Sequence, residues 1–365
     1  MKNKNRMIIG VLMVSLLFPF SSYCFAYNNI PVGVFFYVWY GYDSVNGWVG
    51  GNHTSHWNDG GGGIVVDYPV FGYYSSLDNY TLGRQIVLMK DAGIDFAIVS
   101  FWGAGDITYN SSLNVFRWLK DNASSFKACL MVEPYSGINY TEVYNFVYSN
   151  FVEPFNPWYM RFKGKPLLFF FNPVSGDFYK DERFTVYLVG NPPNNVDLIF
   201  WKGMDCLDEY GGFTNIEYYT GNPVINFDGI VSILPKYDDK LLYEAGSRAT
   251  FMQFDRLLNK GLYQKEWSYV IQNKDNIQMV LIYSWNEYHE RTAIEPHIDP
   301  ISGKSQYYLY DLTKYYVSQF RTLSPNQIIS SYSQPISSFL SSIYAIIPVI
   351  IAIAVVSIFI KKIKF

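Results

Sequence analysis

Short runs of mainly apolar residues alternate with amphipathic stretches along most of this chain. The apolar runs lie at residues 32–38, 96–101, 127–132, 166–171, 197–201, 225–233 and 278–283. Runs that stay apolar over their whole length are typical of parallel strands that are buried on both faces of a sheet. Apolar residues at helical spacing predict helices between and after these runs, at residues 82–91, 112–119, 140–151, 245–259, 264–272 and 308–320.

This alternation predicts the α/β class with a parallel sheet. About eight strand–helix units in about 300 residues favour a (β/α)8 TIM-type barrel over an open doubly wound sheet. No Gly-X-Gly-X-X-Gly motif follows the first predicted strand, so the main sequence feature of a dinucleotide-binding fold is missing. The glycines at residues 60–63 lack the Lys-Ser/Thr of a phosphate-binding loop and predict a flexible surface loop.

The two ends of the chain predict a membrane protein. A basic start, an apolar run and small residues up to Ala26 form the pattern of a secretory signal peptide. Residues 339–360 are almost wholly apolar and are long enough to cross a bilayer as a helix, and the lysines after them belong on the cytoplasmic side. We therefore expect a single-pass cell-membrane protein with an extracellular or lumenal domain. The predicted segments are a signal peptide at 1–26, a folded domain at 27–323, a Ser- and Pro-rich stalk at 324–338, a transmembrane helix at 339–360 and a cytoplasmic tail at 361–365.

The charge of the predicted domain argues against nucleic-acid binding. The two terminal segments hold six of the 28 basic residues and none of the 31 acidic residues. The domain therefore keeps 22 basic residues against 31 acidic ones, a net charge near −9. Proteins that bind nucleic acids carry basic surfaces, so we expect no nucleic-acid partner.

Cysteines and glycosylation motifs bear on the compartment. Cys24 leaves with the signal peptide, and the remaining Cys129 and Cys206 could pair in an oxidising compartment or be buried separately as apolar thiols. Asn-X-Ser/Thr motifs are acceptors for N-glycans on the external side of a membrane, and they agree with the predicted topology. They stand at Asn52, Asn79, Asn110, Asn122 and Asn139.

The clearest candidate chemistry follows the last apolar run. Residues 284–296 read Ser-Trp-Asn-Glu-Tyr-His-Glu-Arg-Thr-Ala-Ile-Glu-Pro, which places Glu287 and Glu290 three residues apart after a predicted buried strand. Paired carboxyl groups supply the acid and base that cleavage of a glycosidic bond needs. A turn with solvated acids is the alternative, but acids beside a buried strand seldom lack a partner or a function. We predict Glu287 and Glu290 as catalytic residues of a glycosidase.

Other strand ends carry side chains that suit a carbohydrate site. In a barrel the carboxyl ends of the strands meet at one face, where catalytic residues lie. Aromatic rings there offer flat surfaces to sugar rings. Because the chain has 33 Tyr and 28 Phe, some aromatic residues stand at strand ends by chance, and the acids carry more weight. The predicted substrate-binding residues at strand ends are Tyr37, Tyr40, Trp102, Glu133, Tyr135, Tyr237, Asp238, Trp285 and Asn286.

Four histidines invite a metal hypothesis, which the sequence does not favour. His53 and His56 could be combined with His289 and His297, but His53 and His56 stand on no evident helix and no supporting pattern surrounds them. We predict no metal and no cofactor. His56 and His289 are instead expected to donate hydrogen bonds to sugar hydroxyl groups.

The motif at residues 285–296 resembles the Trp-Asn-Glu-Trp-His-Glu-Gly-Thr-Gln-Ile-Glu signature of glycoside hydrolase family 99, the endo-α-1,2-mannosidases and mannanases. Shorter stretches are similar to other elements of that family, in the same order along the chain. They are Phe-Tyr-Val-Trp-Tyr-Gly at 36–41, His56-Trp57, Ala-Gly-Ile-Asp at 92–95 before Val-Ser-Phe-Trp at 99–102, Val-Glu-Pro-Tyr at 132–135 and Pro-Lys-Tyr-Asp-Asp at 235–239.

The resemblance implies a metal-free (β/α)8 barrel that cleaves internal α-mannosidic bonds with retention of configuration. Glu287 would act as the base on the substrate's own 2-hydroxyl, and Glu290 as the general acid and then the base. The same resemblance adds Trp57 to the expected substrate-binding residues. From the residues alone, direct attack by a carboxylate on the sugar remains an open alternative.

Three positions depart from the signature, namely Tyr288 for Trp, Arg291 for Gly and Ala293 for Gln. Arg291 beside Glu290 would favour the charged carboxylate, the wrong form for a proton donor, unless its side chain points away. These departures leave a second hypothesis open. It is a non-catalytic carbohydrate-binding or surface-glycan assembly protein on a degenerate barrel.

Overall fold

In the computed structural model the described residues are 30–43, 47–48, 56–57, 65–173, 178–189, 198–199, 223, 225–226 and 228–322. The predicted signal peptide, stalk, transmembrane helix and tail lie outside these residues, as do His53, Asn52, Cys206 and the glycines at 60–63. Within this part of the chain, no helix combines the length and apolar character that crossing a bilayer requires. Cys129 is a buried free thiol.

The strands in chain order are β1 (Val32–Phe36), β2 (Tyr42–Asp43), β3 (Gly47–Trp48), β4 (Tyr68–Pro69), β5 (Phe96–Phe101), β6 (Lys127–Val132), β7 (Arg161–Phe162), β8 (Lys165–Phe171), β9 (Thr185–Val189), β10 (Leu198–Ile199), β11 (Ile230–Ile233), β12 (Tyr237–Asp238), β13 (Gln253–Phe254), β14 (Met279–Ile282) and β15 (His297–Ile298). The α-helices are α1 (Asn79–Asp91), α2 (Ile107–Asp121), α3 (Tyr140–Val147), α4 (Lys240–Glu244), α5 (Leu262–Gln272) and α6 (Tyr308–Thr322). A π-helical turn (Tyr148–Val152) continues α3, and a 3-10 turn (Lys274–Asn276) follows α5.

One curled parallel sheet forms the centre of the molecule. Its strands are hydrogen-bonded in the order β10-β9-β8-β6-β5-β1-β14-β11, and β7 adds to β8 in the antiparallel sense. Followed from β1 through β5, this order is the order of the chain, and β14 pairs back onto β1. The two ends, β10 and β11, also approach each other. The predicted α/β class with a parallel sheet is confirmed, and the curled sheet resembles a TIM-type barrel.

Strand sequences explain why the sheet is buried on both faces. All five residues of β1 and all six of β5 are buried, as continuous apolar runs predict. Gly33 in β1 leaves room for the ring of Phe96, because an added Cβ would lie 2.3 Å from that ring. Helices cover the outer face with apolar stripes such as Leu82, Ile86 and Met89 of α1.

Helix starts follow ordinary capping chemistry. The Asp78 carboxylate accepts the backbone N–H groups of Tyr80 and Thr81 at the start of α1. Asp106 accepts from Thr108 before α2, and the Asn139 side chain accepts from the third residue of α3. Each acceptor satisfies backbone donors that have no partner within the helix.

Three details differ from the sequence prediction. The helix predicted at 245–259 is wrong, because the chain turns after α4 and Asp255 accepts the N–H groups of Asn259, Lys260 and Leu262. Strand β9 was not predicted. The strand predicted from residue 225 begins at 230, because Gly229 (φ 76°) forms a turn there.

Candidate active site

The segment after β14 folds back on itself and fixes the predicted glutamates. The Thr292 N–H donates to the Glu287 carbonyl at 3.1 Å, and the Ser284 N–H donates to the Thr292 carbonyl at 3.2 Å. The Ser284 hydroxyl accepts the Glu287 N–H at 2.7 Å. The Trp285 N–H donates to the Phe35 carbonyl of β1 at 2.7 Å, which ties the segment to the sheet. The glutamates therefore stand on a rigid turn at the carboxyl end of β14.

Glu287 is almost fully buried, with 3% of its surface exposed. Its Oε1 accepts the backbone N–H of His289 at 2.9 Å, and the Nδ1 atom of the His289 ring lies 3.2 Å from the same oxygen. The carboxylate is therefore held in one orientation by the residue two positions along, and only one of its oxygens is engaged by His289.

Glu290 is 9% exposed and pairs with different groups. Its Oε1 contacts the guanidinium of Arg248, whose side chain is 39% exposed. Its Oε2 accepts the Tyr283 hydroxyl at 2.6 Å. The Glu290 charge raises the pKa of Arg248. The sequence did not indicate Arg248, because it lies in the loop after α4 and outside every motif.

A third buried carboxyl group, Glu133, is affected by the charges of both glutamates. It follows β6, is 4% exposed, and its Oε1 accepts the Ser100 hydroxyl at 2.8 Å. Burial raises the pKa of Glu133 to about 8, although the Ser100 hydrogen bond lowers it, and the charges of Glu287 and Glu290 raise it further. Because both charges act on Glu133, the three carboxyl groups share one region of the site.

Two tyrosines lie among these carboxyl groups. The Tyr37 hydroxyl donates to the Tyr283 hydroxyl at 2.9 Å, and Tyr283 in turn donates to Glu290. Burial raises the pKa of both phenols well above the usual value. The charge of Glu133 acts next on Tyr37, followed by those of Glu287 and Glu290. The charges of all three carboxyl groups therefore act on the Tyr37 phenol.

The Asn286 amide locks Tyr37 in place. Its oxygen accepts the Tyr37 N–H at 2.8 Å, and its nitrogen donates to the Tyr37 carbonyl at 2.8 Å. Tyr40 donates from its hydroxyl to the Asn286 carbonyl at 2.7 Å. Both backbone polar groups of Tyr37, its N–H and its carbonyl, are therefore held by a residue of the segment that carries the glutamates.

Partly buried rings form one wall beside Glu287. His56 stacks on Trp39 with ring centroids 4.9 Å apart, and His289 meets Trp39 edge-on at 6.3 Å. Trp102 and Tyr135 are also partly exposed, at the ends of β5 and β6, and Gly103 (φ 99°) lets the Tyr135 ring lie against the backbone. These rings can offer flat faces to a sugar.

Four predicted contact residues have almost no exposed surface. Trp57 and Trp285 are fully buried, and the Trp57 indole donates to the Tyr74 carbonyl at 2.9 Å. Asn286 is also fully buried, and Tyr40 stacks on Trp57 at 4.1 Å. In this structure the four side chains lie beneath the partly exposed rings, and the prediction that they touch substrate stays a prediction.

Tyr237 and Asp238 lie on the other side of Glu290. The Asp238 N–H donates to the Glu290 carbonyl at 2.9 Å, and the Tyr237 hydroxyl donates to Asp239 at 3.3 Å. Burial raises the pKa of Tyr237, and the Glu290 charge raises it further. Asp238 is buried at 3% exposure and points toward Arg291 instead of open space.

The Arg291 side chain turns away from the Glu290 carboxylate into a buried acidic cage. Its guanidinium donates to Asp67 at 2.9 Å, to Asp238 at 3.0 Å and to Asp299 at 2.5 Å. Burial lowers the pKa of Arg291, but these carboxylates outweigh it and raise the pKa. The Arg291 side chain thus points away from Glu290, as a proton donor at Glu290 requires.

The same cage has donor atoms that could suit a metal ion. Ligand atoms of Asp67, His297 and Asp299 lie within 4.8 Å of one another. The Lys236 ammonium, however, lies 2.6 Å from Asp299 and 3.4 Å from Asp67. Burial and the Lys236 charge lower the pKa of His297. Lys236 and Arg291 already neutralise much of the acidic charge, so a metal would have to displace protein cations.

Comparison with known proteins identifies the fold. No protein-family model and no curated protein sequence matches the chain. Two solved structures of the GH99 endo-alpha-mannosidase from Bacteroides thetaiotaomicron, one in complex with bis-tris-propane, have TM-scores of 0.59 and 0.58 and 21% sequence identity. Each comparison covers 80% of this chain and 97% of the mannosidase chain. The resemblance to family 99 that the motifs predicted is therefore confirmed at the level of the fold.

Proposed function

We propose that this protein is a retaining glycoside hydrolase that cleaves internal α-mannosidic or closely similar bonds in glycans. The observation that carries the proposal is the arrangement of Glu287 and Glu290. Both are nearly buried at the carboxyl end of β14, and the charges of both act on Tyr37, Tyr283 and Glu133. The likeness in fold to an endo-alpha-mannosidase supports the substrate class.

In the first step, Glu287 takes the proton from the sugar's 2-hydroxyl, and that oxygen attacks the anomeric carbon. The bond to the leaving oxygen breaks while Glu290 gives that oxygen its proton. In the second step, Glu290 takes a proton from water, and the hydroxide attacks the anomeric carbon. The 2-oxygen then recovers its proton from Glu287, so both carboxyl groups return to their starting states.

Several features support these roles. The backbone N–H of His289 holds the Glu287 carboxylate in one orientation, as a positioned base requires. Arg248 is partly exposed, so a leaving group can take its place beside Glu290. The partly exposed rings of Trp39, Trp102 and Tyr135 suit contacts with sugar faces.

We also propose that the curled sheet belongs to a complete (β/α)8 barrel, held outside the cell by a transmembrane helix at 339–360. The chain order of the parallel strands supports the barrel. The apolar run and the basic tail after it support the anchor.

Hydrolysis of a panel of α-mannosides and related glycans by the full chain tests the proposal. We expect the native protein to release product, and the Glu287→Gln and Glu290→Gln variants to be at least about 100-fold slower, as for the loss of a general acid or base. Glu182→Gln is the matched control, because that side chain is 96% exposed and, among the described residues, pairs at the surface with Lys165. Glycan binding without any release by the native protein would instead establish a carbohydrate-binding protein.

A further inference from the structure

We propose that Arg248 is a movable arm that binds the sugar on the leaving-group side, and that it thereby directs the enzyme to bonds within a glycan. In this structure its guanidinium covers Glu290. The leaving oxygen displaces the guanidinium onto hydroxyl groups of the sugar that carries this oxygen. The inference rests on the proposed hydrolase function and deepens it, because it names a residue that determines specificity.

The two oxygens of Glu290 have partners that differ in how readily they can move. Oε1 contacts the guanidinium of Arg248, and Oε2 accepts the Tyr283 hydroxyl at 2.6 Å. Tyr283 is 2% exposed, and its hydroxyl also accepts the Tyr37 hydroxyl at 2.9 Å, whereas the Arg248 side chain is 39% exposed. A general acid has to reach hydrogen-bond distance from the leaving oxygen, so one partner must give way. Arg248 is the partner that can move, and Oε1 is therefore the oxygen that meets the leaving group.

The backbone that carries this arginine is an exposed loop that is fixed at both ends. Residues 245–251, between α4 and β13, are all exposed. At one end the Ser247 N–H donates to the Leu242 carbonyl at 2.9 Å. At the other end the N–H of the buried Met252 donates to Asp239 Oδ1 at 2.6 Å. The stretch between these anchors is short, so a change of side-chain rotamer, and not a movement of the loop, displaces the guanidinium.

Asp239 keeps the arm at the site when it leaves Glu290. The Nε atom of Arg248 lies 3.6 Å from Asp239 Oδ2, while its Nη2 atom contacts Glu290. Rotation about the Cδ–Nε bond moves Nη2 but leaves Nε in place. Among the described residues, the ion pairs of Arg248 are with these two acids. After displacement the guanidinium therefore stays beside Asp239, and the N–H groups that had faced Glu290 need new acceptors.

The leaving-group sugar supplies these acceptors. Its oxygen takes the place of Nη2 at about 2.5–3.0 Å from Glu290 Oε1, so the ring that carries this oxygen lies beside the displaced guanidinium. A guanidinium presents N–H groups in a planar fork, and two neighbouring sugar hydroxyls can accept from it at the same time. A leaving group without hydroxyls offers no such acceptors. Arg248 therefore favours bonds that are followed by another sugar.

Hydrolysis of two matched substrates by the full chain tests the arm. One is an α-1,2-linked manno-oligosaccharide with sugars on both sides of the scissile bond, and the other is the aryl glycoside of its sugars before that bond. Arg248→Met keeps a long side chain but removes its charge. We expect its kcat/KM to fall about 10-fold or more on the oligosaccharide, as for the loss of hydrogen bonds to a charged group, and not to fall on the aryl glycoside.

Two further variants complete this comparison. Arg248→Lys should restore only part of the rate on the oligosaccharide, because an ammonium group lacks the planar fork of N–H groups. The exposed Arg161→Met is the control and should match the native protein on both substrates. Equal losses of Arg248→Met on both substrates would indicate that Arg248 only positions Glu290. That result would overturn the arm and leave the hydrolase function standing.

Calorimetry tests the same contact without turnover. In the Glu287→Gln variant both substrates should bind uncleaved. Addition of Arg248→Met to this variant should weaken binding of the oligosaccharide by about 10-fold and leave binding of the aryl glycoside unchanged. Unchanged affinity for the oligosaccharide would overturn the arm, whether or not the native protein proved to be a hydrolase. Absence of binding of either substrate would overturn the proposed function together with the arm.

Discussion

Arg291 fixes the conformation of the segment after β14 through its contacts with buried carboxylates. It adopts φ 57°, a conformation that favours glycine, and its guanidinium is enclosed by Asp67, Asp238 and Asp299. Asp238 donates its N–H to the Glu290 carbonyl. A buried arginine thus links the segment after β14 to Asp67 directly before β4, to Asp238 in β12 and to Asp299 after β15.

Removing the charge of Arg291 should be costly. Arg291→Met keeps the positive φ, so its effect reports the lost ion pairs. We expect a loss of about 3–5 kcal/mol in the free energy of unfolding, because Asp238 loses its ion pair and Lys236 alone then neutralises Asp67 and Asp299. Chemical denaturation measures this change. The exposed Arg161→Met is the control, with an expected change within about 0.5 kcal/mol. Similar values for the two variants would contradict the cage.

Glu295 should make the stability depend on pH. Its carboxylate accepts the hydroxyls of Tyr74 and Tyr288 and the amide of Gln85, and burial raises its pKa from 4.5 to about 7. Between these values the folded protein keeps a proton that the unfolded chain has released, so stability falls as the pH rises from about 4.5 to about 7 and stays lower above.

Glu295→Gln should remove this contribution, because an amide does not titrate and Gln85 can turn to present its oxygen. Relative to the native protein, the variant should therefore gain stability between pH 5 and pH 8, by up to about 3 kcal/mol. Unfolding measured by denaturant at the two pH values gives the difference. An identical pH dependence in both proteins would show that Glu295 does not titrate in this range.

Among the elements, strand β1 is the most constrained, because it pairs with both β5 and β14 and leads into Tyr37. Gly33→Ala should destabilise the protein by about 1–3 kcal/mol, since the new methyl group would overlap the Phe96 ring and force the core to shift. Thermal or chemical unfolding checks this. Gly105→Ala provides the comparison, because nothing lies within 4 Å of an added Cβ there. Equal stability of the two variants would contradict the packing of β1 on β5.

The sequence predicted elements that are long and uniform better than elements held by single side chains. Strands β5 and β6 lie where their apolar runs predicted them. The false helix at 245–259 failed because a single carboxylate, Asp255, captures three backbone N–H groups in its place. Strand β9 was missed because it has five residues and follows a charged stretch.

For the site, the motif and the strand ends predicted Glu287, Glu290 and Glu133 from the sequence alone. Arg248 and Tyr283 could not be assigned in this way, because their importance lies in contacts with Glu290 that depend on the fold. The direction of the Arg291 side chain was likewise open, since it is set by Asp67, which is 224 positions away in the chain. Contacts between residues far apart in the chain determine these positions, and the local sequence pattern does not show them.

At the scale of the whole molecule, the proposed topology places the domain outside the membrane and residues 361–365 inside. Protease added to intact cells should therefore digest the domain and leave a small membrane-bound fragment that contains residues 339–360. Immunoblotting with an antibody against a C-terminal tag measures the fragment, and permeabilised cells serve as the control in which the tag is also lost. Protection of the domain in intact cells would contradict the orientation.

The proposed hydrolysis requires that Glu287 and Glu290 act on one sugar in different roles. The most direct measurement compares hydrolysis of a natural glycan with that of its activated aryl glycoside by the native protein and by the two Gln variants. We predict that kcat/KM, which reports the first step, falls about 100-fold or more for Glu290→Gln on the natural glycan but little on the aryl glycoside, whereas Glu287→Gln loses both activities. Equal losses for the two variants on both substrates, or no hydrolysis by the native protein, would contradict the account.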